Sequence, residues 1–203
     1  MKSFNAFLVA AGLAIISLAS CGGEADRGEA KPTFLTTDIT GAAFGRDFKL
    51  ADHTGKTRSL ADFKGKVVVL FFGYTHCPDV CPATMEELSA AMKKLGILAE
   101  RVQVLFVTID PERDTPELLA QYVPAFDPTF LGLSGDAQAT KEIAREFKVI
   151  YQQQAGVAPD QHNLDHSTGT YIFDTAGKLR LYVSTGKGGN VFAHDIAELL
   201  KTR

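Results

Sequence analysis

Two mostly apolar runs stand out in the middle of the chain, at residues 67–72 and 102–109. Each is rich in β-branched and aromatic residues, which predicts a strand buried on both faces of a sheet. Between them, apolar residues recur at helical spacing from Pro82 to Lys94, and Gly96 provides a stop signal. This order predicts a βαβ unit whose first strand is central in the sheet.

The rest of the chain continues the alternation of strands and helices. Thr115 followed by proline predicts a helix that runs to about Phe126. Turns containing Gly55 and Gly177 predict two hairpins, one on each side of the βαβ region in sequence. The remaining predicted elements are a short strand at residues 130–133 and helices at residues 136–147 and 191–201. The inner face of the first of these helices is predicted to contain Ala137, Ile143, Ala144 and Phe147.

Two βαβ units followed by a hairpin and a terminal helix predict an α/β, thioredoxin-like fold. We expect a central mixed β-sheet flanked by helices, with an added N-terminal hairpin. A cysteine pair, Cys77 and Cys81, lies at the first strand-to-helix junction. The domain is expected over residues 39–203, a normal size for one hydrophobic core.

The beginning of the chain predicts export and lipidation. Lys2 precedes a mainly apolar stretch from Phe4 to Leu18, which is too short to span a bilayer comfortably. It ends in Leu-Ala-Ser-Cys, which resembles a bacterial lipobox. This predicts a signal peptide at residues 1–20, lipidation of Cys21 and a flexible tether at residues 21–38. The alternative is an ordinary secretory signal in which Cys21 is incidental.

Charge argues against nucleic acid as the main partner. The chain has 21 basic and 24 acidic residues, and loss of Lys2 with the signal peptide leaves 20 against 24, a net charge of −4. The signal segment, in contrast, predicts that the domain works outside the cytoplasm, anchored to a bacterial membrane by lipid, with a monomer as the default state.

Cys77 and Cys81 are the only cysteines left for chemistry in the domain. At the amino end of a helix, the helix dipole lowers the pKa of a thiol, so we expect the pair to favour the thiolate form. Residues at i and i+4 share one face of a helical turn. The two sulfurs can therefore bind one soft ion or form a disulfide with each other. A purely structural disulfide is the alternative, although such a short loop would contribute little stability.

Two thiolates need a third donor to close a three-coordinate site, and imidazole is a common partner for copper. The chain has five histidines, His53, His76, His162, His166 and His194. We expect His53 and His194 to be solvated surface residues and His76 to form a wall of the site. His162 and His166 lie in residues 155–168, an irregular segment that should face the cysteines in this fold. His166 is the preferred ligand, with His162 as a substitute.

Three motifs together resemble the Sco/SenC family of copper-binding proteins. They are Gly-Tyr-Thr-His-Cys-Pro-Asp-Val-Cys-Pro at residues 73–82, Asp-Pro-Glu-Arg-Asp-Thr at 110–115 and Asp-His-Ser at 165–167. The resemblance implies a membrane-tethered copper chaperone that helps to assemble the dinuclear copper centre of cytochrome c oxidase. It places the copper ligands on Cys77, Cys81 and His166. The family's acidic loop falls on residues 110–114, where Asp110 is a candidate accessory residue and Asp114 has helix capping as a simpler role.

The resemblance also implies partners and a location. The reduced cysteine pair and His166 are expected to hold Cu(I) and could also accept Cu(II), and the oxidation state that is delivered stays open. The partners are the copper-bearing subunit of the oxidase, a copper donor chaperone or thiol reductant, and the membrane, with the periplasmic face of the inner membrane as the expected location.

Whether the chain is an enzyme stays open. The rival function is a thiol-disulfide oxidoreductase in which Cys77 and Cys81 form a redox-active pair that reduces the oxidase's cysteines, and His166 is dispensable. Residues 167–170 lack the proline that redox thioredoxins place before the strand opposite the cysteines, which favours metal binding. A peroxidase function is a weaker alternative, because Leu70 and Tyr74 stand where the peroxidase motif has Pro and Thr. Structural zinc would normally need four ligands.

Overall fold

The computed structural model describes residues 32–154 and 163–201. In these residues the strands are β1 (Thr37–Asp38), β2 (Leu50–Asp52), β3 (Thr57–Arg58), β4 (Val67–Gly73), β5 (Val102–Thr108), β6 (Leu131–Ser134), β7 (Tyr151–Gln153), β8 (Leu164–His166), β9 (Thr170–Phe173) and β10 (Leu179–Val183). The helices are α1 (Val80–Leu95), α2 (Pro116–Tyr122), α3 (Ala137–Glu146) and α4 (Gly189–Lys201), with short 3-10 helices at Leu60–Phe63 and Gly96–Arg101.

Eight of these strands form one mixed sheet in the order β1-β10-β9-β4-β5-β6-β2-β3. Strands β4, β5 and β6 are parallel, as two consecutive βαβ units require. Strand β9 runs antiparallel to β4 and pairs with β10 in a hairpin, and β2 and β3 form the predicted hairpin at the other edge. The predicted thioredoxin-like α/β fold is confirmed.

Strand β4 lies in the middle of this sheet. All seven of its residues are buried, and it is paired with β5 on one side and β9 on the other. The parallel register runs from Val67 opposite Val102 to Gly73 opposite Thr108. The chain therefore leaves β4 and β5 at the same edge of the sheet, which brings the cysteine segment next to residues 109–115.

The helices begin and end close to the predicted positions. Helix α1 starts at Val80, so Cys81 lies in its first turn, and Gly96 ends it with a φ of 56°. Thr115 caps α2 as predicted, because its Oγ1 accepts a hydrogen bond from the Leu118 amide at 3.3 Å. This helix ends at Tyr122, earlier than the prediction of about Phe126.

The prediction for the inner face of α3 is wrong at one position. Ala137 is exposed and borders an open cleft beside Tyr151, whereas Thr140 is buried with Ile143 and Ala144. The first turn of the helix therefore lies beyond the sheet that covers its other apolar residues.

The expectation of an irregular segment at residues 155–168 is also wrong in part. Leu164–His166 forms β8, which pairs antiparallel with β7 so that Tyr151 stands opposite His166. These two strands make a separate two-stranded ribbon outside the eight-stranded sheet. Three-residue strands are too short for a readable hydrophobic pattern, which is why the ribbon was not predicted.

The domain begins before residue 39. Thr37 and Asp38 pair with β10, and the Asp195 carboxylate accepts hydrogen bonds from the Leu35 amide (2.9 Å) and from the amide (3.0 Å) and hydroxyl (2.6 Å) of Thr36. Residues 35–38, assigned to the flexible tether, are therefore bound to the domain. The predicted signal peptide and Cys21 lie outside the described residues.

Asp195 should be a strong anchor for this N-terminal segment. Its side chain is 0% exposed and accepts these three hydrogen bonds, so Asp195→Ala removes bonds to a charged acceptor and should lower the free energy of unfolding by about 1.5–3 kcal/mol. Urea denaturation measures this change. The control is Glu86→Ala, which removes an exposed carboxylate from the middle of α1 and should leave the midpoint unchanged. Equal stability of the two variants would contradict the assignment.

Candidate metal centre

The two cysteines lie on either side of the start of α1. Cys77 is half-buried in the turn that follows β4, where its amide donates to the Tyr74 carbonyl at 3.2 Å. Cys81 is 0% exposed and lies in the first helical turn. The first amides of a helix have no partner within the helix. The Cys81 amide finds one in Cys77 Sγ at 3.4 Å, so the helix itself fixes the position of the first sulfur.

His166 reaches the cysteines from the two-stranded ribbon. Its Nε2 lies 3.7 Å from Cys81 Sγ, and its Nδ1 lies 3.0 Å from the Ser167 carbonyl oxygen. A carbonyl only accepts hydrogen bonds, so Nδ1 carries the proton and donates it. The neutral imidazole therefore presents the Nε2 lone pair to the thiols, which is the form that binds metals.

The donor atoms of Cys77, Cys81 and His166 all lie within 4.8 Å of one another. Metal bonds of about 2.3 Å to sulfur and about 2.0 Å to imidazole nitrogen, at 120° to each other, place the two donors about 3.7 Å apart. The observed distance from Cys81 Sγ to His166 Nε2 is 3.7 Å. With one pair of donors at this distance and all three within 4.8 Å, the group suits a soft metal ion in three-coordinate form.

Burial changes the ionisation of two of these groups. It raises the pKa of Cys81, and the hydrogen bond with Cys77 acts in the same direction. The expected thiolate bias is therefore wrong for Cys81, because desolvation outweighs the field of the helix terminus. Burial also lowers the pKa of His166, which keeps the imidazole neutral at neutral pH. A metal ion must therefore displace a proton from Cys81, whereas His166 already has an unprotonated nitrogen that can bind it.

Gly73 makes room for the buried sulfur. A Cβ at this position would lie 2.9 Å from Cys81 Sγ and 2.9 Å from the Phe106 ring, closer than real contacts allow. Cys81 can therefore pack against the end of β4 only because residue 73 has no side chain. The glycine at the end of an apolar run was a visible signal of such a close approach.

Asp114 holds the segment that precedes Cys77. It is 1% exposed and accepts hydrogen bonds from the amide (3.0 Å) and hydroxyl (2.5 Å) of Thr75 and from the Thr108 hydroxyl (2.6 Å). It thus joins the cysteine segment to the end of β5, whereas capping of α2 falls to Thr115 alone. Sequence reasoning missed this role, because three hydrogen bonds from two separate segments meet only in the folded chain.

Of the other predicted site residues that the structure describes, none belongs to the group of three donors. Asp110 is buried, and its Oδ2 accepts from Arg113 Nε at 2.5 Å. Its accessory role stays a prediction, and His162 lies outside the described residues. His76 is exposed with Nδ1 3.1 Å from Thr75 Oγ1, and it is not part of the group of three donors.

The expectation of two solvated histidines is met by only one of them. His194 is exposed, with its Nδ1 2.8 Å from Asp195 Oδ1. His53 is half-buried instead, because its Nδ1 accepts a hydrogen bond from the Gly132 amide at 3.1 Å.

An open cleft gives access to the group from one side. Among the described residues, Cys77 and His166 line this cleft, whereas Cys81 does not. The full lining set is Tyr74, Cys77, Pro78, Asp79, Val80, Gln154, Asn163, Leu164, Asp165, His166 and Thr168. An incoming group would therefore meet Cys77 and His166 first, with Cys81 behind them.

The fold and this group define a class, the thioredoxin-like proteins that place two cysteines and a histidine together as a candidate metal site. The SCO1/SenC family model matches residues 36–201, so the chain belongs to the SCO1/SenC family. The resemblance predicted from the three motifs is confirmed.

Known proteins agree with this assignment. The mitochondrial SCO2 homolog of Bos taurus is 40% identical over 157 residues, covering 75% of this chain and 58% of that protein. The chain spans about three fifths of the length of the curated relatives that it matches. The solution structure of apo Sco1 from Thermus thermophilus matches 85% of this chain and all of that one, with 40% identity and a TM-score of 0.75. Bradyrhizobium japonicum ScoI with copper bound matches 78% of this chain and 100% of that one, with 34% identity and a TM-score of 0.70.

The raised pKa of Cys81 predicts its reactivity. In a Cys77→Ser variant, Cys81 should be alkylated by iodoacetamide far more slowly than Cys77 in a Cys81→Ser variant, because it is buried and protonated. Its rate should rise about tenfold per pH unit between pH 7 and 9 without a plateau, since only the thiolate reacts. Mass spectrometry of timed samples measures both rates. A plateau for Cys81 below pH 8 would contradict the effect of burial.

Proposed function

We propose that this chain binds copper through Cys77, Cys81 and His166 and delivers it to the dinuclear copper centre of cytochrome c oxidase. The observation that carries the proposal is the meeting of two thiols and one imidazole nitrogen within 4.8 Å. Thiolate with imidazole is a donor set suited to Cu(I) and to Cu(II). The copper bound in Bradyrhizobium japonicum ScoI supports copper as the cargo, and the motifs shared with the family support oxidase assembly.

Loading of copper would displace protons from the sulfurs. Cys81 is protonated when the site is empty, whereas His166 Nε2 is already free of a proton. The apparent affinity for copper should therefore fall as pH falls. Oxidation of the two thiols to a disulfide removes both sulfur donors, so thiol redox state would gate the binding of copper.

Delivery would proceed by ligand exchange through the open cleft. Cys77 and His166 line this cleft, so a thiolate of the oxidase's copper-bearing subunit can approach the ion before Cys81 releases it. The metal then keeps at least two protein ligands throughout transfer. A copper donor chaperone could load the site by the same path in reverse.

The N-terminal sequence supports a membrane location for this function. Cleavage before Cys21 and acylation of that cysteine would anchor the domain to a bacterial membrane, and a role in oxidase assembly favours the periplasmic face of the inner membrane. The tether would then span residues 21–32, because Thr33 and Phe34 contact the domain and residues 35–38 are bound to it. Within residues 32–154 and 163–201, no helix combines the length and apolarity needed to cross a membrane.

A second function, reduction of the oxidase's cysteines, is favoured by the unequal exposure of the two thiols. Cys77 borders the cleft and Cys81 is buried behind it. In such an exchange, the Cys77 thiolate attacks a disulfide of the oxidase and releases one of its sulfurs as a thiolate. The Cys81 thiolate then attacks Cys77, which frees the second sulfur of the oxidase and leaves a Cys77–Cys81 disulfide. His166 has no part in this reaction.

Copper affinity separates the two functions. The reduced protein should bind one Cu(I) tightly under anaerobic conditions, and His166→Ala should weaken binding by roughly a hundredfold or more, equivalent to a loss of ~3 kcal/mol. Cys77→Ser and Cys81→Ser should each abolish stoichiometric binding. Competition with a chromogenic Cu(I) chelator measures these affinities.

His194→Ala is the matched control, since it removes an exposed histidine from α4 and should leave Cu(I) affinity unchanged. Weak binding by the native protein, or binding that does not depend on His166, would overturn the copper site and favour the dithiol reductase.

A separate experiment tests whether Cys21 is lipidated. In bacterial cells that express the full chain, the mature protein should fractionate with membranes and should begin at an acylated Cys21, because several acyl chains give stable anchoring. Cys21→Ser should abolish acylation and release the domain from the membrane fraction. Mass spectrometry of the N-terminal peptide distinguishes this outcome from ordinary secretion, in which Cys21 would be unmodified or removed.

A further inference from the structure

Tyr74 links the two segments that carry the proposed copper ligands. It follows directly after β4 and is 2% exposed. Its backbone carbonyl accepts the Cys77 amide at 3.2 Å, and its hydroxyl accepts the Leu164 amide at 3.2 Å. One residue therefore holds the cysteine turn with its main chain and strand β8 with its side chain.

The bond to Leu164 matters because β8 has no place in the main sheet. Strands β7 and β8 pair with each other as a separate ribbon. His166 is two residues beyond Leu164 on the same short strand, so both side chains point to the same face of the ribbon. The Tyr74 hydroxyl thus sets how close this face comes to the cysteines.

The Tyr74 ring also contacts the imidazole directly. The two rings are 5.8 Å apart between centroids with an interplanar angle of 77°, an edge-to-face arrangement. The Arg113 guanidinium lies 5.8 Å from the Tyr74 ring centroid and is itself bound to Asp110. The buried ring is therefore held between His166 and an ion pair of the acidic loop.

We infer that Tyr74 is a positioning residue for His166, with its hydroxyl docking strand β8 so that Nε2 stands at bonding distance from the copper that the two thiols hold. The inference rests on the proposed copper site. It also assigns the Asp110–Arg113 pair an indirect effect on the site, through the ring that Arg113 contacts.

Tyr74→Phe tests the inference, because it keeps the ring and removes only the hydroxyl. Cu(I) affinity of the purified full chain, measured by chelator competition, should fall by about tenfold, the size of effect seen when a group that orients a metal ligand is removed. Hydrogen exchange of the Leu164 amide should become faster in the same variant without copper, because this amide loses its acceptor.

A double-variant cycle shows whether the effect passes through His166. Tyr74→Phe should weaken Cu(I) binding in the native background and should have no further effect in the His166→Ala background. Equal losses in both backgrounds, or no loss in the native one, would overturn the positioning role. If His166→Ala alone leaves Cu(I) affinity unchanged, the copper site itself is wrong and the inference falls with it.

Tyr171→Phe is the matched control. Tyr171 is 5% exposed and donates its hydroxyl to the Phe147 carbonyl at 2.6 Å, so the variant removes another buried tyrosine hydrogen bond that does not involve β8. It should leave Cu(I) affinity unchanged. A similar loss of affinity in Tyr171→Phe would show that general loosening of the domain explains the result, and would overturn the inference.

Discussion

Burial of strand β4 on both faces is the constraint on which the metal centre depends. Its residues are paired with β5 and β9 and enclosed in the core, so the point where the chain leaves the sheet cannot shift. Gly73 ends this strand against Cys81 Sγ and Phe106. The cysteine turn therefore starts from a fully buried strand, and the buried sulfur is packed like a core residue.

The histidine comes from a different kind of element. Strand β8 belongs to a ribbon outside the main sheet, and His166 therefore owes its position to pairing with β7 and to the Tyr74 hydroxyl rather than to the ladder of the main sheet. Asp114 fixes the cysteine side of the group through Thr75, while Tyr74 reaches the histidine side. The two cysteines are thus placed by the buried strand and the start of α1, whereas the histidine is placed by a few specific bonds.

The parts of this molecule that could be predicted from sequence are those with local signals. The apolar runs predicted β4 and β5, and the spacing of Cys77 and Cys81 indicated a shared metal ion or disulfide. The position of His166 was predictable because the fold brings its segment to the cysteines. The raised pKa of Cys81 was not predictable, because it depends on how completely the folded domain removes water from one sulfur. The role of Asp195 was equally hidden, since its partners lie about 160 residues away in sequence.

The hydrogen bond from His166 Nδ1 to the Ser167 carbonyl also limits the number of metal ions that the imidazole can bind. An imidazole can bridge two metal ions only when both ring nitrogens are free of protons. Here one nitrogen keeps its proton and donates it to the main chain, so only Nε2 can form a metal bond. The ring can therefore offer one nitrogen to a metal ion, and this hydrogen bond opposes an imidazolate-bridged pair of ions at the candidate site.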